Sequence, residues 1–337
     1  MALLEAQGVN VVYQPHRGQR IWSVRGVDLT LEKGEFVGVV GESGCGKSTL
    51  GFALTRMLRP PGRLESGSIK FNGVDISHLE GEALRSQRRN GFALVLQAGM
   101  NALNPVRTIE HHFGDILHAH RRPGEELSKE AVHRRAAQLS ESVRLDPAAV
   151  LDRYPHELSG GMRQRVAIAL ALALEPQMIV FDEPTTALDV VVQRAVMETI
   201  QDLQRERQFT ALLISHDLGI VLEATDRVLV MYAGRIVEDQ PSAAMQDAVH
   251  HPYTDALLTC YADPRADNVV LGEIPGSPPD LSLSLQGCPY VPRCPLSEQV
   301  CVEKDPPLYP IGRGRAACHV KAREAESTRE VSRVPVR

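Results

Sequence analysis

The segment that most constrains this 337-residue chain is Gly41-Glu42-Ser43-Gly44-Cys45-Gly46-Lys47-Ser48-Thr49. The apolar run Phe36-Val37-Gly38-Val39-Val40 precedes it, and Leu50-Gly51-Phe52-Ala53-Leu54 follows. A buried strand, a glycine-rich turn and a helix, in that order, are the setting a phosphate-binding loop requires. Glycines let successive backbone N–H groups turn inward as an anion nest, and the helix adds its positive end. The pattern predicts ATP contacts from Gly41, Ser43, Gly44, Cys45, Gly46, Lys47, Ser48 and Thr49. Lys47 should reach the β- and γ-phosphates, and the Ser48 hydroxyl should bind Mg²⁺. A glycine-rich turn with a chance lysine is the alternative, and the flanking strand and helix argue against it. Cys45 reads either as a small filler or as a redox-sensitive thiol, since a helix N-terminus lowers a thiol pKa.

A second apolar run, Met178-Ile179-Val180-Phe181, ends in Asp182 and Glu183. A buried strand delivers Asp182 to a metal site, where it can hold Mg²⁺ through water. Glu183 is placed to polarise an attacking water. Taken alone, such a strand could end at a solvated acidic turn; with a phosphate loop upstream the catalytic reading is stronger.

Strand-like segments fall at residues 8–13, 27–31, 68–72, 92–97, 211–215 and 227–232, and residues 98–172 read mainly as helix. Strands interleaved with helices predict an α/β fold on a mostly parallel sheet. The formal net charge of −5 does not suggest a nucleic-acid binder. The N-terminus carries no signal-peptide pattern, and the longest apolar run, residues 166–174, is far below the ~18 residues that span a bilayer. Service to a membrane would therefore run through partners.

Leu158-Ser159-Gly160-Gly161-Met162-Arg163-Gln164-Arg165 forms a second anion site at a helix start. It resembles the signature motif of the ABC ATPases, and from here the resemblance becomes specific. A single phosphate loop has no need of a second nest unless Ser159, Gly160 and Gly161 of one subunit cap the γ-phosphate bound by another. Met162 departs from the glutamine found in many ABC proteins, which leaves the backbone contacts intact. Gln97 resembles the Q-loop glutamine that contacts metal and attacking water. Ala187-Leu188-Asp189 resembles the D-loop, with Asp189 communicating across the dimer. His216 resembles the switch histidine at the γ-phosphate, and Tyr13 the aromatic that stacks on adenine.

Gln97-Ala98-Gly99-Met100-Asn101-Ala102-Leu103-Asn104-Pro105, residues 231–238 and His251-Pro252-Tyr253-Thr254-Asp255-Ala256-Leu257-Leu258 resemble the oligopeptide/dipeptide importer ATPases within that family. Prolines multiply after about residue 262, where Cys288, Cys294, Cys301 and Cys318 follow a C-x5-C-x6-C-x16-C spacing. In a chain without an export signal, such a group reads as a metal or cluster site before a disulfide framework. The resemblance implies a [4Fe-4S] cluster with a structural role; zinc and free thiols stay open as alternatives. Cys260 reads as an ordinary core thiol. His111, His112, His118 and His120 read as an exposed or interface face before a metal site.

The expected fold is therefore a RecA-like P-loop core at 1–97 and 173–240 with a helical subdomain inserted at 98–172. An accessory region at 241–320 and a disordered tail at 321–337 complete it. The resemblance implies an ATPase powering peptide import at the cytoplasmic face of the cell membrane. Its partners would be a second ABC ATPase subunit (a heterodimer by preference), two membrane permease subunits and an extracytoplasmic substrate-binding protein. A soluble ABC ATPase of a metabolic or redox-sensing complex is the rival reading.

Overall fold

The computed structural model describes residues 1–15, 18–89, 91–96, 103–121, 127–186, 188–245, 250–260 and 272–331. In chain order its elements are β1 (Ala2–Tyr13), β2 (Ile21–Glu32), β3 (Phe36–Val40), α1 (Lys47–Leu54), β4 (Gly62–Phe71), β5 (Val74–Asp75), α2 (Gly81–Arg89), β6 (Phe92–Val95), α3 (Ile109–His120), α4 (Lys129–Ser142), α5 (Pro147–Val150), α6 (Gly160–Ala171), β7 (Met178–Asp182), α7 (Val190–Arg207), β8 (Thr210–Ile214), α8 (Leu218–Ala224), β9 (Arg227–Tyr232), β10 (Arg235–Pro241), α9 (Pro252–Thr259), α10 (Gln299–Glu303), β11 (Tyr309–Ile311), β12 (Gly314–Ala316) and α11 (His319–Val331). The expectations placed on Gln97, residues 98–102 and Ala187 lie outside the described residues.

The chain divides into two compact units. One comprises Met1–Leu3, Leu31–Phe36 and His78–Leu213; the other comprises Leu4–Thr30, Val37–Ser77 and Ile214–Arg337. The stretch 98–172, expected as a helical subdomain, falls within the longest piece of the first unit, His78–Leu213. In the first unit β6 runs parallel to β7, from Phe92↔Met178 to Val95↔Phe181. Both β7 and β8 are buried along their whole length, as strands covered on both faces must be. Among its helices, α3 packs on α4, α4 on α6, and α6 on both α7 and β6. The helical stretch and its strands therefore share one core.

In the second unit β3 runs parallel to β9, from Val37↔Arg227 to Val40↔Val230. The order continues antiparallel through β10 and β12 to β11. A separate sheet has the order β2-β1-β4-β5, with β1 antiparallel to β4. A Cβ on Gly38 would come within 2.2 Å of the Val221 side chain, so glycine lets α8 lie directly on β3.

Two elements depart from the sequence expectation. β10 was not anticipated as a strand because its centre is Glu238-Asp239-Gln240, all buried. Partners make that possible: Glu238 accepts from His250 at 2.6 Å and from the His251 N–H at 2.9 Å, and Asp239 pairs with Arg227 at 2.7 Å and with Arg315. The tail expected to be disordered from Lys321 is helical to Val331 in α11. Ala322 packs with Ile311 and Ala316, and Lys321–Glu324 and Arg323–Glu298 ion pairs tie down its charged face.

Candidate functional site

The phosphate loop lies wholly in the second unit. It leaves β3 at Gly41 and enters α1 through Gly46, whose φ of 105° is a left-handed conformation open to glycine. A Cβ at Gly46 would also meet the Ser23 carbonyl oxygen at 2.1 Å. No side chain caps α1 at Gly46, the first point of the helix. Lys47 is 6% exposed, and its Nζ donates to the carbonyls of Gly41 at 2.7 Å and Glu42 at 3.0 Å. A buried ammonium held over uncapped amides makes a strongly anion-seeking site. Ser43 and Gly44 are exposed, and Ser48 and Thr49 half-buried. The Tyr13 hydroxyl lies 3.4 Å from Thr49 Oγ1, which brings the expected adenine-stacking ring beside the first turn of α1.

Cys45 does not fit the redox-sensor reading. It is buried, and burial raises its thiol pKa against the lowering influence of Lys47. His216 is exposed, one residue after Ser215, whose N–H donates to Val39. Asp217 beside it caps α8 by accepting from the Ile220 N–H at 3.2 Å.

In the first unit, β7 ends in buried Asp182, and the chain turns at Glu183 with φ of 48°. A positive φ at a non-glycine residue is uncommon and gathers at functional sites. Thr186 Oγ1 donates to Glu183 Oε2 at 2.9 Å and orients the carboxylate. Ser159 caps α6, accepting from the Met162 N–H at 3.3 Å, and is exposed. Gly161 is closely covered: an added Cβ would lie 2.5 Å from Val192 Cγ1 on α7. Asp189 caps α7 by accepting from the Val192 N–H at 3.0 Å. Next to it Val190 and Val191 are 81% and 79% exposed, an apolar pair that sequence reading passed over.

The ABC transporter family profile matches residues 24–186, and the profile of the oligopeptide/dipeptide transporter C-terminal region matches residues 237–301. The probable peptide ABC transporter ATP-binding protein y4tR of Sinorhizobium fredii is 39% identical over 89% of this chain and 89% of its own length. The chain is an ABC transporter ATP-binding protein. OppD of Bacillus subtilis, an oligopeptide transport ATP-binding protein, is 37% identical over 92% of this chain and 86% of its own. DppD of Haemophilus influenzae, a dipeptide transport ATP-binding protein, is 37% identical over 96% and 97%. The ATP-binding cassette MJ0796, solved as a dimer in a post-hydrolysis state with ADP and Pi, matches with a TM-score of 0.63 at 26% identity, over 71% of this chain and 98% of that one. The α/β fold is that of the ABC ATPase cassette.

The C-terminal region of this ABC ATPase brings the four spaced cysteines together. Cys288, Cys294, Cys301 and Cys318 line one small cavity with His251 and His319. No disulfide joins them among the described residues. Burial, with a smaller push from the other three cysteines, raises the Cys288 thiol to about 11. Cys294 and Cys318 are raised as well, burial again being the main cause. The Lys321 N–H points at Cys318 Sγ, 3.5 Å away. Among the described residues no group of three or more His, Cys, Asp or Glu forms a ligand set for a metal ion. His111 and His112 are engaged locally with Thr108, at 2.6 and 2.8 Å.

Two residues that hold the phosphate loop were not singled out from sequence for that role. Tyr253 accepts the Glu42 N–H at 2.8 Å, and Arg293 clasps the Glu42 carboxylate at 2.8 Å. The only sequence signal was the His251-Pro252-Tyr253 element, which carried a resemblance and no function.

Proposed function

We propose that this chain is the ATP-hydrolysing subunit that powers an importer of di- or oligopeptides. The observation that carries the reading is the uncapped N-terminus of α1 beside buried Lys47, an anion site built for a triphosphate. The match to the oligopeptide/dipeptide C-terminal region, together with the relatives' peptide-transport names, supplies the cargo class.

In this reading ATP phosphates lie on the N–H groups of Gly44 to Thr49 and on Lys47, with Tyr13 against adenine. Ser48, Gln97 and Asp182 are the oxygen donors that would hold Mg²⁺, which neutralises phosphate charge. Glu183 draws a proton from the attacking water, and His216 steadies the γ-phosphate. Ser159, Gly160 and Gly161 serve the nucleotide of the partner subunit, and Asp189 stands at the same junction. ABC ATPases act as dimers with permease components, and the exposed Val190 and Val191 beside the Asp189 cap give such a junction apolar surface.

Among the described residues no helix is long and apolar enough to cross a membrane. Transport therefore calls for two permease subunits with this chain on their cytoplasmic face. The second ATPase would be a related but different subunit, and an extracytoplasmic binding protein would deliver cargo. Glu183→Gln tests the chemistry. It should bind MgATP as the parent does and lose hydrolysis by at least about a hundredfold. Turnover near the parent rate would remove Glu183 from this role.

A further inference from the structure

Glu42 is the second residue of the phosphate loop, and its charge has the same sign as the ligand. Its carboxylate is held by Arg293 in a two-pronged pair, Nη1 to Oε2 at 2.9 Å and Nη2 to Oε1 at 2.8 Å. The remaining donors of Arg293 are also taken: Nε by the Pro275 carbonyl at 2.7 Å, Nη1 by Tyr232 Oη at 3.3 Å and Nη2 by the Ile274 carbonyl at 3.2 Å. All five N–H groups of a guanidinium are thus engaged. The Arg293 side chain is 4% exposed, and its guanidinium lies over the Tyr232 and Tyr290 rings at 5.8 and 5.9 Å.

A second tether runs beside the first. The Glu42 N–H donates to Tyr253 Oη at 2.8 Å. Tyr253 belongs to a buried aromatic cluster with Tyr232 and Tyr290, at centroid distances of 4.6 and 5.4 Å. His251 accepts the Tyr253 N–H at 3.0 Å and so starts α9 in the right place. Both tethers come from sequence far beyond the loop they hold, and Arg293 directly precedes Cys294 of the thiol cavity.

We infer that Arg293 and Tyr253 are positioning residues for nucleotide binding, through which the C-terminal region sets the ATP affinity of the phosphate loop. Arg293 neutralises an acid that would otherwise repel the triphosphate, and Tyr253 fixes the backbone that carries it. A salt bridge serving only the fold has no reason to sit on a loop whose ligand is a polyanion. The inference rests on the nucleotide-binding reading above.

The test uses the full chain and MgATP. Arg293→Ala should raise the Kd for MgATP at least tenfold and change kcat at saturating ATP less than threefold. The loss should be larger for ATP than for AMP, because repulsion grows with phosphate charge. Adding Glu42→Gln to Arg293→Ala should recover most of the lost affinity, since it removes the uncompensated charge. Tyr253→Phe keeps the ring in the aromatic cluster and should raise the Kd for MgATP about threefold. It remains informative if Arg293→Ala does not fold. Unchanged Kd values in Arg293→Ala and Tyr253→Phe, or equal losses for ATP and AMP, overturn the inference. Lys47→Ala separates the two claims. If it abolishes binding while Arg293→Ala does not affect it, only this inference fails; if the parent chain binds no MgATP, both fail.

Discussion

His251 shows how much a single buried side chain asks of its surroundings. It is 1% exposed, and burial lowers its pKa to about 3. Its ring nitrogen accepts the Tyr253 N–H, which it can do only while unprotonated. An unfolded histidine takes its proton near pH 6.5. Between about 6.5 and 3 the unfolded chain therefore binds the extra proton, and stability falls as pH falls, by up to about 1.4 kcal/mol per pH unit. His250 shifts the other way: burial lowers its pKa, but the hydrogen bond and charge of Glu238, with Asp255 and the Met245 carbonyl, together outweigh that and raise it, so its contribution fades as pH rises. His251→Asn keeps a capping acceptor without the titration. Urea unfolding at pH 7.5, 6.5 and 5.5 should give this variant a shallower loss of stability than the parent. Parallel losses would show that His251 takes up its proton alike in the folded and unfolded states, and would contradict the burial effect. At this scale the phosphate loop was legible, since nine consecutive residues build it. The Glu42–Arg293 pair was not, because its partners lie 251 residues apart and neither belongs to a local pattern.

Elements that bury apolar residues were readable, and those that bury charge were not. The runs that became β3, β7 and β9 are almost wholly apolar, and the sequence placed their ends within a residue. The centre of β10 is acidic and polar, so only the histidine and arginine partners supplied by the fold make it a strand. α11 likewise looked like a solvated tail until Ala322 found Ile311 and Ala316. The proline-rich segment around the four cysteines belongs to the same class: buried Tyr290 and Arg293 there find their partners at Tyr232 and Glu42, far away in the chain. We propose that Cys288, Cys294, Cys301 and Cys318 hold a [4Fe-4S] cluster, one thiolate per iron, which staples this segment. Support comes from the shared cavity and from the N–H directed at Cys318 Sγ. Anaerobically purified chain should contain about four iron and four sulfide per molecule. Cys301→Ser should lose most of that iron and melt at a lower temperature. Absence of both elements from the parent chain would leave the cysteines as buried thiols.

For the molecule as a whole, we propose that the division into nucleotide-holding and signature-bearing parts is what turns hydrolysis into movement. The phosphate loop belongs to one compact unit, while the Ser159–Gly161 turn and Glu183 belong to the other. A triphosphate bound to the loop of one subunit and capped by the signature turn of a second would draw two chains together and release them on hydrolysis. In the proposed assembly the permease and binding protein would select the cargo, so sequence could indicate peptides as a class and no further. The most direct measurement is the structure of the Glu183→Gln chain trapped with MgATP and its ATPase partner. We expect each shared nucleotide to lie between Lys47 of this chain and the partner's signature turn, or between the partner's phosphate loop and Ser159 of this chain. A trapped complex with Ser159 facing solvent, away from any γ-phosphate, would contradict the account.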